Sequence, residues 1–438
     1  MNKIYLLLIS LVAALGGLLF GFDTAIISGT IPFIQPYFDL SEIGLGWVVG
    51  SLIIGCIIGA SFAGKLADVM GRKKILIITS SFFVVSTIGT ALATNVSQFV
   101  IARILGGIAV GAASIVSPMY IAEISPSKIR GTMVSLNQLT ITMGILISYL
   151  INYFLVDIDN NWRWMFFSGI FPSVLFFVLL FFVPESPRWL VKKSFREKSF
   201  AILEKVGGQD NAVIEMDQIV ESLKIPEGKF RELFAKGTRR ALMIGVALSF
   251  FMQITGITVV IYYAPIILAK SNIGVSDSLF QTSFIGLINF LFTFIAIWLV
   301  DKAGRRPLFL TGAFGMTITL SALAFAFFTG RTEGFVILII ILAYIAFFAS
   351  CMGPVFWVLI SEIFPNRLRG TAMSVAIFVV WLTNFTGVLI FPWMMKNLGS
   401  ATTFLFYAIM SLLMFLFSIK YFPETKGKTL EEIEKYWK

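Results

Sequence analysis

Twelve apolar stretches, each about as long as a membrane-spanning helix, recur along the chain. A helix that rises about 1.5 Å per residue needs about 20 apolar residues to cross a hydrocarbon core of ~30 Å. Only 13% of the residues are charged, whereas soluble domains average about 25%. The chain is therefore expected to be an all-α integral membrane protein and not a soluble enzyme. The predicted spans are 4–29, 44–65, 75–94, 97–121, 132–154, 164–183, 240–268, 279–300, 307–328, 335–360, 371–395 and 402–422.

Positive charges alternate from loop to loop along this series of spans. If the N-terminus is cytoplasmic, all but five of the 34 Lys and Arg residues fall on the inner side. Cytoplasmic loops of membrane proteins carry such an excess. Topology therefore explains the net charge of +10 better than nucleic-acid binding does, and both termini are expected in the cytoplasm.

Histidine, which many catalytic and metal sites use, is missing from the sequence. The chain has no histidine, and its two cysteines, Cys56 and Cys351, each lie inside an apolar span. Ser-His and Cys-His pairs, histidine metal sites and a disulfide framework are therefore excluded. We expect no enzyme activity, no cofactor and no metal.

Three polar signals occur twice, at nearly constant spacing, and divide the chain into two halves. Each signal directly follows a predicted span in both halves, which indicates an internal duplication. The corresponding segments are 68–73 and 301–306, 123–126 and 362–365, and 184–186 and 423–425.

The duplication predicts two pseudo-symmetric six-helix bundles, at 1–184 and 240–422. In the segment that joins the halves, 185–239, charged and apolar residues alternate, which predicts a cytoplasmic linker of short helices. A cytoplasmic tail is expected at 423–438. Repeated halves around a central site are typical of alternating-access transporters.

The repeated signals place acidic and basic residues where helices end on the cytoplasmic side. Such residues can pair across the two halves, close an inner gate in one state and separate in the other. Static salt bridges that only fix topology are the alternative, but recurrence in both halves favours gating. The gating candidates are Asp68, Arg72, Glu123, Arg130, Glu185, Asp301, Arg305, Glu362, Arg369 and Glu424.

Two charged residues lie well inside predicted spans, where charges are costly and usually functional. Asp23 and Arg103 both fall in the outer half of their spans, so their depths allow them to pair. A carboxylate that loses a neighbouring arginine binds a proton more readily. A motion that separates the two would therefore couple proton uptake to conformational change, and a purely structural ion pair is the alternative.

Amide and aromatic side chains inside the spans suit a neutral ligand that carries hydroxyl groups. Amides offer both donors and acceptors to hydroxyl groups, and aromatic rings present a flat apolar face to the C–H side. Polar residues in spans also bridge helices, and Tyr and Trp also mark interfaces, but most of these residues fall in mid-helix. They are Gln138, Gln253, Asn289, Asn384, Tyr262, Tyr263, Trp357 and Trp381.

The motifs of the whole chain resemble those of the sugar porter family of the major facilitator superfamily. The segments after the sixth and twelfth spans, 184–189 and 423–427, are highly specific to that family. The remaining motifs that carry the resemblance are Gly16-Gly-Leu-Leu-Phe-Gly-Phe-Asp23, Asp68-x-x-Gly-Arg-Lys73, Arg103-Ile-Leu-Gly-Gly107 and Pro118-Met-Tyr-Ile-Ala-Glu123.

The resemblance implies the major facilitator fold, a pairing of Asp23 with Arg103, and a sugar site. It assigns sugar contacts to most of the amide and aromatic candidates above. It also adds Phe20 as a pocket aromatic and Thr258, at a position where the family usually has asparagine.

Several positions depart from the family pattern at this expected site. Where the family or some of its members carry Gln or Trp, this chain has Met252, Ile145, Val380 and Met352. A hydroxyl group that loses an amide partner could cost roughly 1–3 kcal/mol. The departures therefore leave the identity of the sugar open.

We predict proton-coupled symport, by alternating access, of a neutral monosaccharide such as D-xylose or a related pentose or hexose. The expected partners are the sugar, a proton and membrane lipid, with a monomer as the functional unit in a bacterial inner membrane. A facilitative uniporter is the first alternative, although mammalian facilitative members lack an acid at the position of Asp23. A membrane sugar sensor is the second, although such sensors often carry long cytoplasmic extensions, and here the tail ends at Lys438.

Overall fold

A computed structural model describes residues 2–127, 129–223, 230–235, 238–271, 273–333, 335–364, 368–422 and 424–426. All regular secondary structure in these ranges is helical, with a short 3-10 helix at Phe230–Phe234. The α-helices are α1 Lys3–Tyr37, α2 Glu42–Met70, α3 Arg72–Leu92, α4 Val96–Ile124, α5 Arg130–Leu155, α6 Asn161–Phe167, α7 Ile170–Leu179, α8 Pro187–Lys192, α9 Arg196–Gly207, α10 Gln209–Ser222, α11 Thr238–Ile254, α12 Ile257–Ala269, α13 Val275–Ala303, α14 Arg305–Phe328, α15 Val336–Cys351, α16 Gly353–Glu362, α17 Arg369–Asn397 and α18 Gly399–Tyr421.

Within the described ranges, twelve helical segments are long and apolar enough to cross a membrane, which confirms the predicted number. Nine of them are single helices, and the other three are the pairs α6–α7, α11–α12 and α15–α16. Between the sixth and seventh spans lie the short helices α8, α9 and α10.

Two of the three broken spans have a clear local cause. Between α11 and α12, Gly256 has a φ of +91°, a conformation that only glycine adopts at low cost. Between α15 and α16, Gly353-Pro354 begins the second helix. Proline lacks the N–H that a continuing helix needs, but it suits a first turn.

The chain forms two compact units by contact. The first comprises Met1–Ile26, Ser51–Ser148 and Asn160–Pro226, and the second comprises Ile27–Gly50, Tyr149–Asp159 and Glu227–Lys438. The units differ from the predicted halves because the end of α1, the start of α2 and the end of α5 belong to the second unit.

Close helix contacts in the first unit depend on glycine. A Cβ atom added to Gly55 or Gly59 of α2 would overlap the backbone of α4, and one added to Gly107 or Gly111 of α4 would overlap the backbone of α2. The segments Gly55-x-x-x-Gly59 and Gly107-x-x-x-Gly111 therefore face each other, and small residues at such spacing let membrane helices approach closely.

In the second unit, the start of α2 packs against α17. Gly46 of α2 lies against the carbonyl group of Leu389 in α17. Near the start of α2, Glu42 accepts a hydrogen bond from Lys396 Nζ at 2.9 Å. These contacts join segments that are more than 300 residues apart in the sequence.

Candidate functional site

Asp23 of α1 and Arg103 of α4 lie together inside the first unit. Only 7% of Asp23 and 1% of Arg103 are exposed. Arg103 Nη1 donates a hydrogen bond of 3.1 Å to the main-chain oxygen of Asp23. The guanidinium group also lies 5.6 Å from the ring centroid of Phe166, within the range of a cation–π contact.

The helix contact beside this pair leaves no room for a larger residue. A Cβ atom on Gly106 would overlap the hydroxyl of Ser86 and would lie 3.7 Å from Asp23 Oδ2. Ser86 in turn donates a hydrogen bond of 2.8 Å to the main-chain oxygen of Ala102. Close packing of α3 on α4 therefore holds the segment that carries Arg103.

Four of the predicted sugar contacts surround the break between α11 and α12 in the second unit. Gln253 lies in the last turn of α11, and Thr258 donates a hydrogen bond of 2.8 Å from Oγ1 to the Oε1 atom of Gln253. Tyr262 and Tyr263 are buried on α12, and the Tyr263 hydroxyl donates to the main-chain oxygen of Val388 at 2.9 Å.

Four further candidates lie on other helices of the same unit. Trp381 and Asn384 are buried on α17, one turn apart, and Asn289 is buried on α13. Trp357 of α16 is 39% exposed. Among the described residues, none donates a hydrogen bond to Oδ1 of Asn384, so this buried oxygen is available to a hydroxyl donor.

The remaining two candidates, Phe20 and Gln138, belong to the first unit and are half-buried. The two helices that carry these residues, α1 and α5, approach closely. A Cβ atom added to Gly21 of α1 would overlap the carbonyl group of Ile141 of α5. Eight of the ten sugar candidates thus share one unit.

The four residues that stand where the family or some of its members carry Gln or Trp are buried. Met252, Met352 and Val380 lie in the second unit and Ile145 in the first. Met352 fills the space beside Gly312, where an added Cβ atom would come within 2.7 Å of Met352 Cγ.

Arg72 organises the gating candidates of the first unit. Its Nε and Nη2 atoms donate to the two carboxylate oxygens of Glu123 at 2.8 and 2.9 Å, and Nη2 also lies 3.0 Å from Asp68 Oδ1. Glu185 accepts hydrogen bonds from the backbone N–H groups of Arg72 and Lys73 at 3.0 and 3.1 Å.

The second unit repeats this arrangement. Glu424 accepts hydrogen bonds from the backbone N–H groups of Arg305 and Arg306, both at 3.1 Å. Arg305 Nη2 donates to Glu362 Oε1 at 3.2 Å. Glycine with positive φ precedes the arginine in both units, as Gly71 at +100° and Gly304 at +91°. The structural repeat matches the duplication seen in the sequence.

The two equivalent glutamates have opposite pKa shifts. Burial raises the pKa of Glu185 above its ordinary value, and the backbone N–H donors only partly oppose this effect. Burial also acts to raise the pKa of Glu424, but there the N–H donors outweigh it and lower the pKa. Both effects are expected, because burial disfavours a charged carboxylate and hydrogen bonds to it favour one.

Cross-half pairing of the gating charges stays a prediction. The described ion pairs of Arg72 and Arg305 lie within one unit each. Arg130 pairs with Glu215 of the linker helix α10, at 3.1 Å between Nη2 and Oε2. Arg369 is half-buried at the start of α17, and the side chain of Asp301 lies outside the described residues.

Three residues with structural roles were missed by the sequence reasoning. Glu215 is buried and also accepts a hydrogen bond from the backbone N–H of Ser127 at 2.8 Å. The buried hydroxyls of Tyr149 and Tyr344 donate to main-chain oxygens of Ile261 and Thr255. Nothing in an apolar span or an alternating linker distinguishes such residues from their neighbours.

Comparison with known proteins extends over the whole chain. The family model described as "Sugar (and other) transporter" matches residues 9–437. The D-xylose-proton symporter of Escherichia coli strain K12 is 42% identical, over 100% of this chain and 96% of the relative. The arabinose-proton symporter of Bacillus subtilis strain 168 is 40% identical, over 99% of this chain and 95% of the relative.

A solved structure of the Escherichia coli xylose transporter XylE, in a partially occluded inward-open conformation, is also similar. Its TM-score is 0.88 at 41% identity, over 98% of this chain and 100% of that chain. This similarity confirms the predicted major facilitator fold of twelve membrane-spanning helices.

Proposed function

The chain belongs to the sugar transporter family, as its motifs predicted, and from this premise we propose that it is a proton-coupled monosaccharide symporter. The substrate is D-xylose or a related pentose or hexose, carried by alternating access. Relatives named as symporters of D-xylose and of arabinose support this proposal, because each matches nearly the full chain at 40% identity or more.

The observation that carries the proposal is the burial of Asp23 beside Arg103. Arg103 reaches the segment of α1 that carries the acid, at 3.1 Å from the Asp23 main-chain oxygen. A charge inside the membrane is costly, and in transporters it commonly belongs to a proton relay. A proton on Asp23 weakens its attraction to the guanidinium and lets the two helices separate, and deprotonation restores the attraction.

The polar groups of the second unit suit a neutral sugar. Gln253 and Thr258 form a hydrogen-bonded pair, and the buried Oδ1 of Asn384 is available as an acceptor. Trp381 lies one helical turn from Asn384 and offers an apolar face. Hydroxyl groups need donors and acceptors of this kind, and the C–H face of a sugar packs on an aromatic ring.

We infer further that the protein transports and does not catalyse a reaction. We place it in a bacterial plasma membrane with both termini in the cytoplasm, because the positive loops alternate as the positive-inside rule requires. In this proposal the functional unit is a monomer surrounded by lipid, and the ion pairs of Arg72 and Arg305 belong to the cytoplasmic gate.

Uptake into proteoliposomes tests the proposal. The full chain is reconstituted, and entry of radiolabelled D-xylose, L-arabinose and D-glucose is measured with and without an inward proton gradient. We expect gradient-driven accumulation of at least one of these sugars. The D23N variant should lose accumulation but retain exchange of sugar across the membrane.

The control variant is D210N, which removes an exposed carboxylate at the start of the linker helix α10 and should retain gradient-driven accumulation. Normal accumulation by D23N would contradict proton coupling through Asp23. Equilibration that ignores the gradient in the wild type would identify a facilitative uniporter. Binding of sugar without movement would identify a sensor.

A further inference from the structure

Gln253 and Thr258 form a contact that a continuous helix forbids. Successive residues of an α-helix are rotated by about 100°, so residues five apart lie about 140° apart around the axis. Yet Thr258 Oγ1 donates to Gln253 Oε1 at 2.8 Å. The break between α11 and α12 therefore brings the two side chains onto the same side.

Neighbouring tyrosines hold this break in place. Gly256 has a φ of +91°, and an added Cβ atom would come within 2.9 Å of the Tyr407 ring. The buried Tyr344 hydroxyl donates to the main-chain oxygen of Thr255 at 3.1 Å. This bond satisfies one of the carbonyl groups that the end of α11 leaves without a helical partner.

The direction of the hydrogen bond decides what Gln253 can offer a ligand. A glutamine side chain has an acceptor end and an NH₂ end with two donors. Because the Thr258 hydroxyl donates to the oxygen end, the amide is fixed with its NH₂ group turned away from Thr258. An unheld amide can rotate and present either end.

We propose that Thr258 is a specificity-determining residue that orients the Gln253 amide, so that the amide presents N–H donors to a sugar hydroxyl. The sugar oxygen at that position must then act as an acceptor. This inference rests on the proposed function, because it assumes that Gln253 contacts the transported sugar. It gives Thr258 a role that follows from its replacement of the usual asparagine, which could contact a sugar with its own amide.

Competition between sugar analogues tests the proposal. The purified full chain is bound with radiolabelled D-xylose, or with whichever of L-arabinose and D-glucose is transported. It is then challenged with deoxy and deoxyfluoro analogues at each hydroxyl position in turn. A fluorine atom accepts a hydrogen bond weakly and donates none, whereas a deoxy carbon does neither.

In the wild type, we expect one position at which the deoxyfluoro analogue competes better than the deoxy analogue, by about two- to tenfold. T258V removes the hydroxyl at nearly constant volume and should reduce this ratio to less than about twofold. T258S keeps the hydroxyl and should restore the wild-type ratio. Q253A should abolish the ratio and weaken binding of the parent sugar.

Three outcomes would overturn the inference. Equal ratios in the wild type and T258V would show that the hydroxyl does not orient the amide. A wild-type ratio near one at every position would show that no amide donor is presented. Unchanged sugar binding by Q253A would remove Gln253 from the site. In each case wild-type uptake persists, whereas failure of the proposed function itself would appear as wild-type protein that transports none of the three sugars.

Discussion

Replacing Arg72 with lysine keeps the positive charge but removes the planar guanidinium fork. In the structure, that fork makes two bonds of 2.8 and 2.9 Å to Glu123, and its Nη1 atom donates to the main-chain oxygen of Ala67 at 3.0 Å. A lysine has one nitrogen and cannot reproduce a two-point contact with a carboxylate. The variant R72K should therefore lose at least two bonds.

The size of the loss follows from burial. The side chains of Arg72 and Glu123 are only 6% and 10% exposed, so water cannot readily replace the missing donors. Hydrogen bonds to charged groups contribute about 1.5–3 kcal/mol each, and complete removal of one partner of a buried pair costs about 3–5 kcal/mol. Because lysine retains part of the interaction, we expect R72K to lower the free energy of unfolding by about 3 kcal/mol.

Thermal unfolding of the purified full chain in detergent measures the effect. One kcal/mol shifts the Tm of a domain of about 150–250 residues by about 2–4 °C, so R72K should lower the Tm by roughly 6–12 °C. The matched control is R130K. The Arg130 side chain is 43% exposed and makes one contact of 3.1 Å with Glu215 and one of 3.3 Å with the main-chain oxygen of Ser125. Because water can reach the Arg130 side chain, its replacement by lysine should cost about 0–1 kcal/mol.

Two results would refute this reasoning. A Tm for R72K within about 2 °C of the wild type would show that the fork adds little to a lysine at this position. A loss in R130K as large as that in R72K would show that burial does not set the magnitude.

Two further contrasts follow from the site. The first contrast concerns pH. The pKa of Glu185 is raised, so its ionisation costs stability as the pH rises. The pKa of Glu424 is lowered, so its ionised form contributes stability that is lost as the pH falls. From about pH 4 to 7, the Tm of E185Q should therefore improve relative to the wild type and that of E424Q should worsen, and parallel curves would contradict these signs. The second contrast compares G256A with G399A. Both glycines have positive φ, but an added Cβ atom at Gly256 would meet the ring of Tyr407, whereas one at Gly399 would meet nothing within 4 Å. G399A should lower the free energy of unfolding by about 1–2 kcal/mol, and G256A should lower it by at least ~1 kcal/mol more, as measured by thermal unfolding. Equal losses in the two variants would contradict the steric argument.

Much of the fold could be predicted because hydropathy and charge are local properties. The number of spans followed from stretch length, and the duplication followed from the repeated charged segments. Depth in the membrane can be counted along a helix at about 1.5 Å per residue, which allowed Asp23 and Arg103 to meet. That they pair was implied by the family resemblance.

Other features of the site could not be derived in this way. The hydrogen bond between Thr258 and Gln253 depends on a break at Gly256, whose positive φ has no hydropathy signal. The structure pairs Arg130 with Glu215 of the linker, a residue that no sequence signal singled out. Several candidates of similar charge lay at similar predicted depth, so sequence alone could not choose among them.

The sequence by itself thus determined that this is a twelve-span membrane protein with duplicated halves, two buried charges and a set of amides and aromatic residues within the spans. Only the tertiary structure decided that the end of α1 and the start of α2 belong to the second unit. It also decided which acid each arginine meets. The physical reason is that crossing a membrane depends on the composition of one segment. Contacts depend on how closely two distant segments approach, as at Gly46 and Leu389, where the absence of a single side chain permits the approach.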